Sequence, residues 1–145
     1  LSIDSVQSDT EAKLWEIDYV TTDRRQGIVA EIQKYASFAD DWDGEGSCAP
    51  YIASISASLN FLEMLPGGLP LPKPMVSSDG EIGFYWDLAQ GFADISFDER
   101  GAASFFSRTH RGEESYQENI RLESLSSNWM FGNIGVLDKE LLLAA

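Results

Sequence analysis

The residues best equipped for chemistry stand together in Asp41-Trp42-Asp43-Gly44-Glu45-Gly46, which places carboxylates at positions one, three and five of a loop and glycine at position six. That spacing opens a calcium-binding loop, in which alternate oxygens converge on a hard cation. The second half departs from the pattern: position twelve, where a bidentate glutamate should close the shell, is Ile52, and Pro50 falls inside the loop. No metal is therefore expected, and the stretch reads as a connection in which Trp42 packs inward between two helices while Gly44 and Gly46 take positive φ. A metal-dependent hydrolase or small-ligand-binding protein built on Asp41 to Glu45 is the reading that a bound ion would favour.

Nucleophilic catalysis fares no better. His110 is the single histidine, and any Ser-His-Asp or Cys-His arrangement would have to use it. It lies in Arg108-Thr109-His110-Arg111, between a strand and a polar loop, where a solvated surface histidine is the simpler account. GxSxG, GxxxxGK[ST] and GxGxxG are all missing from the chain. Carboxylates that could serve as general acids or bases are abundant, and nothing singles out one pair. The sequence thus nominates no catalytic residue and no cofactor, and reads as a non-enzyme.

Charge is more informative. The 145 residues carry a net charge of −14, with 24 Asp and Glu against 10 Lys and Arg. Such a surface attracts basic partners and repels nucleic acid, so direct DNA or RNA binding is not expected. Between Phe38 and Ser107 only Lys73 and Arg100 interrupt the acidic residues. Hydrophobic residues make up 43%, enough for one core, which sets the chain apart from a disordered acidic tail. Cys48 is the only cysteine, so neither an internal disulfide nor a cysteine-based zinc site can form. With no apolar run of membrane-spanning length and no basic and apolar leader pattern at the start, a cytoplasmic protein is expected.

These side chains need elements to position them. Residues 1–20 mix helical and alternating patterns and read as a docking arm. Ile28, Val29, Ile32, Tyr35 and Phe38 recur at threes and fours, which predicts an amphipathic helix from Thr22 to about Ala39. Pro50 suits the first turn of a second helix, with Ile52, Ile55, Leu59, Phe61 and Leu62 on its buried side and Pro66-Gly67-Gly68 as its stop. A proline-rich connector runs to Pro74. The period then changes to alternation: Met75-Val76, Glu81 to Leu88, Phe92 to Asp98 and Ala103 to Arg108 are separated by turn residues and predict about four antiparallel strands. Arg111 to Asn119 reads as an exposed loop, Ile120 to Leu125 as a further strand or short helix, and Val136 to Ala145 as a helical tail. Helices followed by strands make one α+β domain over residues 1–145, with two helices packed on one face of an antiparallel sheet.

Alternation sends Ile82, Phe84, Trp86 and Leu88 inward and leaves Glu81, Tyr85 and Asp87 outward. With Ala93, Ile95 and Phe97 also buried, Asp94 and Asp98 join them on the outer face. An acidic face holding an aromatic suits Arg and Lys through charge-assisted pairs and cation–π contact. The candidate partner-binding set is therefore Asp41, Asp43, Glu45, Glu81, Tyr85, Asp87, Asp94 and Asp98.

Asp41-Trp42-Asp43-Gly44 before a Pro50-led helix ending in Leu65-Pro66, then Pro74-Met75-Val76, then Asp79-Gly80-Glu81-Ile82 leading to Trp86, resembles a group of small bacterial or phage proteins. The likeness spans about Ile28 to Phe97. It implies a bacterial or phage origin and an α+β fold, and it carries over no catalytic residue. The expected function is non-catalytic binding of a basic protein, in the manner of an antitoxin, immunity protein or inhibitor. A DNA mimic that occupies a nucleic-acid-binding protein is the alternative, and self-association through an edge strand is open.

Overall fold

Helix α1 runs through residues 23–35 and brings Ile28, Ile32 and Tyr35 to one buried face, at the four- and three-residue steps of a helical stripe. The computed structural model describes residues 23–138; the expected docking arm and the residues after 138 lie outside the described residues. α1 stops earlier than its hydrophobic pattern implies. Ala36 N–H still reaches back four residues to the Ile32 carbonyl, but Ser37 and Phe38 bond to Lys34 and Tyr35, three back, and this tightening ends the helix. Phe38 then turns to stack on Trp42, with ring centroids 5.0 Å apart. Trp42 is consequently half-buried outside the core cluster, not inserted between helices, and its indole N–H donates to the Cys48 carbonyl at 2.9 Å.

Helix α2 spans Ile52–Met64, with Tyr51 as its cap, so Pro50 precedes the helix and does not occupy its first turn. Its buried face is Ser54, Ala57, Ser58, Phe61 and Leu62. The expectation for Ile52 is corrected: it is 85% exposed. Small residues let the helix backbone approach the sheet closely, and the two serines answer their own hydrogen-bonding needs. Ser54 Oγ accepts from Ile82 N–H at 2.7 Å and donates to the Phe97 carbonyl at 2.6 Å, joining the two strands where their ladder ends. Ser58 Oγ donates to Ile55 O within the helix.

The sheet has five antiparallel strands rather than about four: β1 Lys73–Val76, β2 Ile82–Leu88, β3 Gly91–Phe97, β4 Ala103–Thr109 and β5 Glu114–Ile120, paired in chain order. Register aligns Ile82 with Phe97 and Ala103, and Phe84 with Ile95 and Phe105, in two fully buried rows. Phe61 of α2 lies on this surface, its ring 5.6 Å from Phe84, 5.8 Å from Phe97 and 6.3 Å from Trp86. The turn into β2 requires glycine: Gly80 has φ 89°, and a Cβ there would sit 2.9 Å from the Ala49 carbonyl oxygen.

β5 replaces the exposed loop expected over Arg111 to Asn119. Its polar side chains carry no core alternation, and Tyr116 is 63% exposed. It forms because β4 pairs with it from Arg108↔Glu114 to Ala103↔Ile120, interrupted by one register shift, and because Gln117 is tied to helix α3, Ser127–Asn133. Trp129 packs edge-on against Phe105 at 4.9 Å and donates to Gln117 Oε1 at 3.1 Å; Gln117 in turn donates to Asn133 Oδ1 at 3.0 Å. Ile120 is the last residue of β5, and Leu122–Ser124 forms a 3₁₀ turn. The described part of the expected helical tail is a second 3₁₀ turn, Gly135–Leu137. Both sheet edges are blunted, β1 by Pro74 and β5 by a register shift opposite Ala103/Phe105 with Asn119 at φ 57°.

Candidate functional site

The inward rings Phe84 and Phe97 meet Phe61 of α2, and Phe105 meets Trp129 of α3; strand alternation sends Tyr85, Asp87, Phe92, Asp94, Ser96, Phe106 and Arg108 to the opposite face. Register fixes their neighbours. Across the strands, Lys73, Tyr85, Asp94, Phe106 and Tyr116 form one row, and Asp87, Phe92, Arg108 and Glu114 form the next. The Tyr85 and Phe92 rings stack diagonally, with centroids 6.2 Å apart and planes 26° apart. Tyr85, Phe92, Asp94, Ser96 and Phe106 are each half-buried.

Asp94 occupies the middle of this surface. Its carboxyl is held above the usual aspartate range by burial alone, with no charge or hydrogen bond contributing. Neither cation on this face serves it: Lys73 is two strands away, and Arg108 Nε lies 3.8 Å from Glu114 Oε1 in an exposed pair. Glu81 lies at the end of the same face. Burial and then the charge of Asp79 raise its carboxyl, while a hydrogen bond from Ser96 works the other way and Asp98 adds to the rise. From α1, Tyr35 comes near Tyr85: its hydroxyl is raised first by burial, then by Glu31, and last by Tyr85.

The register therefore places Glu81, Tyr85, Asp87 and Asp94 on one face, with Tyr85 and Asp94 as direct cross-strand neighbours, Glu81 and Asp87 towards opposite ends of β2, and Asp98 at the rim. Asp98 faces inward on its turn, accepting from Arg100 N–H and Ala102 N–H, both at 2.9 Å. Asp41, Asp43 and Glu45 belong to a separate loop. Asp41 Oδ1 accepts from Gly46 N–H at 2.7 Å, and Asp43 accepts from Glu45 N–H at 2.9 Å and from the Ser47 hydroxyl. Those bonds, the Ser47 hydroxyl first and the Glu45 N–H second, hold the Asp43 carboxyl below its usual range. Gly44 and Gly46 take positive φ as expected, and so does Asp41, at 63°. Among the described residues, no three His, Cys, Asp or Glu stand close enough to hold a metal ion.

Sequence reasoning missed the aromatic half of this surface. Phe106 is the cross-strand partner of Asp94 on the side opposite Tyr85, Phe92 stands two residues along its own strand, and the face also carries Lys73 and Arg108, so it is mixed rather than uniformly acidic. The signal for Phe92 was present, since it shares the two-residue period of Asp94 and Ser96. Phe106 was hidden by the doublet Phe105-Phe106, in which one ring faces each way. No family model, curated protein or solved structure matches the chain. No helix among the described residues is long and apolar enough to cross a membrane.

Proposed function

We propose that the protein is a non-catalytic binding module whose outer sheet face, centred on β2 and β3, docks a basic protein and masks a cationic surface of it, as an antitoxin, immunity protein or inhibitor does. One observation carries this reading: Tyr85 and a half-buried Asp94 are cross-strand neighbours on an open face that also holds Asp87 and Glu81, in a chain of net charge −14. Rigid strands hold these groups in place before a partner arrives, which keeps the ordering cost of association low. The long-range field steers encounter, and the aromatic rings supply contact area once water is displaced. A cytoplasmic location and a bacterial or phage source accompany this reading.

Capture from the native host's lysate tests it, comparing the wild type with a variant carrying Glu81→Lys, Asp87→Lys and Asp94→Lys. The expected result is a basic protein held at low salt by the wild type only and released as salt rises, because exposed charges are screened over about 8 Å at physiological ionic strength. Equal capture by both forms, or retention insensitive to salt, would contradict the proposal.

A further inference from the structure

Asp94 is an expensive residue for its position. Aspartate is depleted from strand interiors, where a pleated, half-buried surface favours Thr, Val or an aromatic. Here it sits in the central strand of five, between Tyr85 on β2 and Phe106 on β4, with Phe92 two residues along its own strand. Its carboxylate has lost part of its water and gained no donor in return, and burial has pushed its proton affinity up accordingly. A local rule broken without local compensation is characteristic of a binding position.

We propose that Asp94 is the seat for one arginine of the basic partner: the guanidinium pairs with the carboxylate while its plane lies against the aromatic rings of Tyr85 and Phe92. This assignment rests on the basic-partner reading above and narrows it to one side chain. Arginine fits better than lysine on three counts. Its planar fork can satisfy both carboxylate oxygens, it stacks on aromatic faces, and its weaker hydration makes burial against the rings less costly. The two stacked rings and the carboxylate occupy adjacent register positions, so one extended side chain can meet them together. Charge complementarity identifies the occupant: a second copy of this chain, itself of net charge −14, would set its own Asp94, Asp87 and Glu81 against the same carboxylates.

The test is titration of the full chain at low salt with capped hexa-arginine and capped hexa-lysine, followed by calorimetry and paired with a thermal melt of each variant. Asp94→Asn is expected to weaken hexa-arginine binding by about tenfold, the scale of a charge-assisted pair in a partly desolvated site. The same substitution should raise the melting midpoint, because it removes an unpaired, desolvated charge. Phe92→Leu, which keeps apolar bulk without a ring, should weaken binding about threefold. Glu63→Gln, an equal charge change on the exposed side of α2, should change it by less than about twofold. Hexa-lysine should bind several times more weakly than hexa-arginine.

If Asp94→Asn and Glu63→Gln weaken binding equally, the attraction is diffuse: the seat is overturned and the basic-partner reading stands. If the wild type binds neither peptide at low salt, both are overturned. A lower melting midpoint for Asp94→Asn would contradict the desolvation argument and overturn the seat.

Discussion

Replacing Ser54 with alanine should destabilise the fold far more than the loss of one oxygen atom suggests. The Ser54 hydroxyl is fully buried and serves two strands at once, accepting from Ile82 N–H at 2.7 Å and donating to the Phe97 carbonyl at 2.6 Å. Alanine leaves both backbone groups facing an apolar interior with no partner. An unsatisfied buried group costs about 1–3 kcal/mol, so the pair costs about 2–6 kcal/mol, from which better helix propensity and any entering water recover part. The net expectation is about 2–4 kcal/mol. Ser58→Ala is the internal control: it has the same residue type, helix and burial, but its hydroxyl bonds only to Ile55 O one turn back. That change should cost less than about 1 kcal/mol. Urea denaturation of the three proteins, with the slope checked for constancy, reads the difference directly. Equal midpoints for Ser54→Ala and Ser58→Ala would refute the bridging role and the close seating of α2 on β2 and β3.

Acid should stabilise the region around the site. The Asp94 and Glu81 carboxyls lie above their ordinary values in the folded protein, so the native state holds these protons to higher pH than the unfolded chain does. Their contribution to stability is complete below the unfolded range, about pH 4, and is lost as pH rises through the raised native values; Asp94→Asn should flatten that decline in urea midpoints measured across the interval. Gly80→Ala forces a side chain into φ 89° and within 2.9 Å of the Ala49 carbonyl oxygen. It should lower stability by about 2–4 kcal/mol, read in the same denaturation assay. Trp129→Phe keeps the edge contact with Phe105 but removes the indole donor to Gln117. Amide hydrogen exchange should then quicken in β5 relative to β2 and β3, for a loss of about 1 kcal/mol.

How legible the fold was depended on how each element earns its burial. β2 and β3 were readable because Ile82, Phe84, Trp86, Ala93, Ile95 and Phe97 recur at every second position, so strand identity and inward face follow from the same pattern. α2 was readable as a helix, but its rotation was not. Ile52 looked like a core residue and is exposed, whereas Ser54 and Ser58, which were not among the expected buried residues, are buried, because their bonds to backbone groups cannot be seen in the sequence. β5 was invisible for a related reason: Glu-Ser-Tyr-Gln-Glu-Asn-Ile buries little of itself and is held by β4 and by a Trp129–Gln117–Asn133 chain from a later helix. At the site, alternation found the carboxylates and Tyr85, but the Asp94 environment depends on rings from three strands. Only register brings Tyr85, Phe92 and Phe106 around it. The Asp41–Glu45 loop showed the opposite mismatch, since its carboxylates look available in sequence while Asp41 and Asp43 are engaged with their own backbone.

The most direct measurement of the central claim is backbone amide chemical-shift mapping of the full chain titrated with capped hexa-arginine at low salt. The account predicts a contiguous set of perturbed residues on the outer positions of β2, β3 and β4, centred on Tyr85, Asp94 and Phe106, that collapses when salt is raised. Perturbations confined to the Asp41–Glu45 loop, or scattered over every acidic surface without a centre on β3, would contradict it.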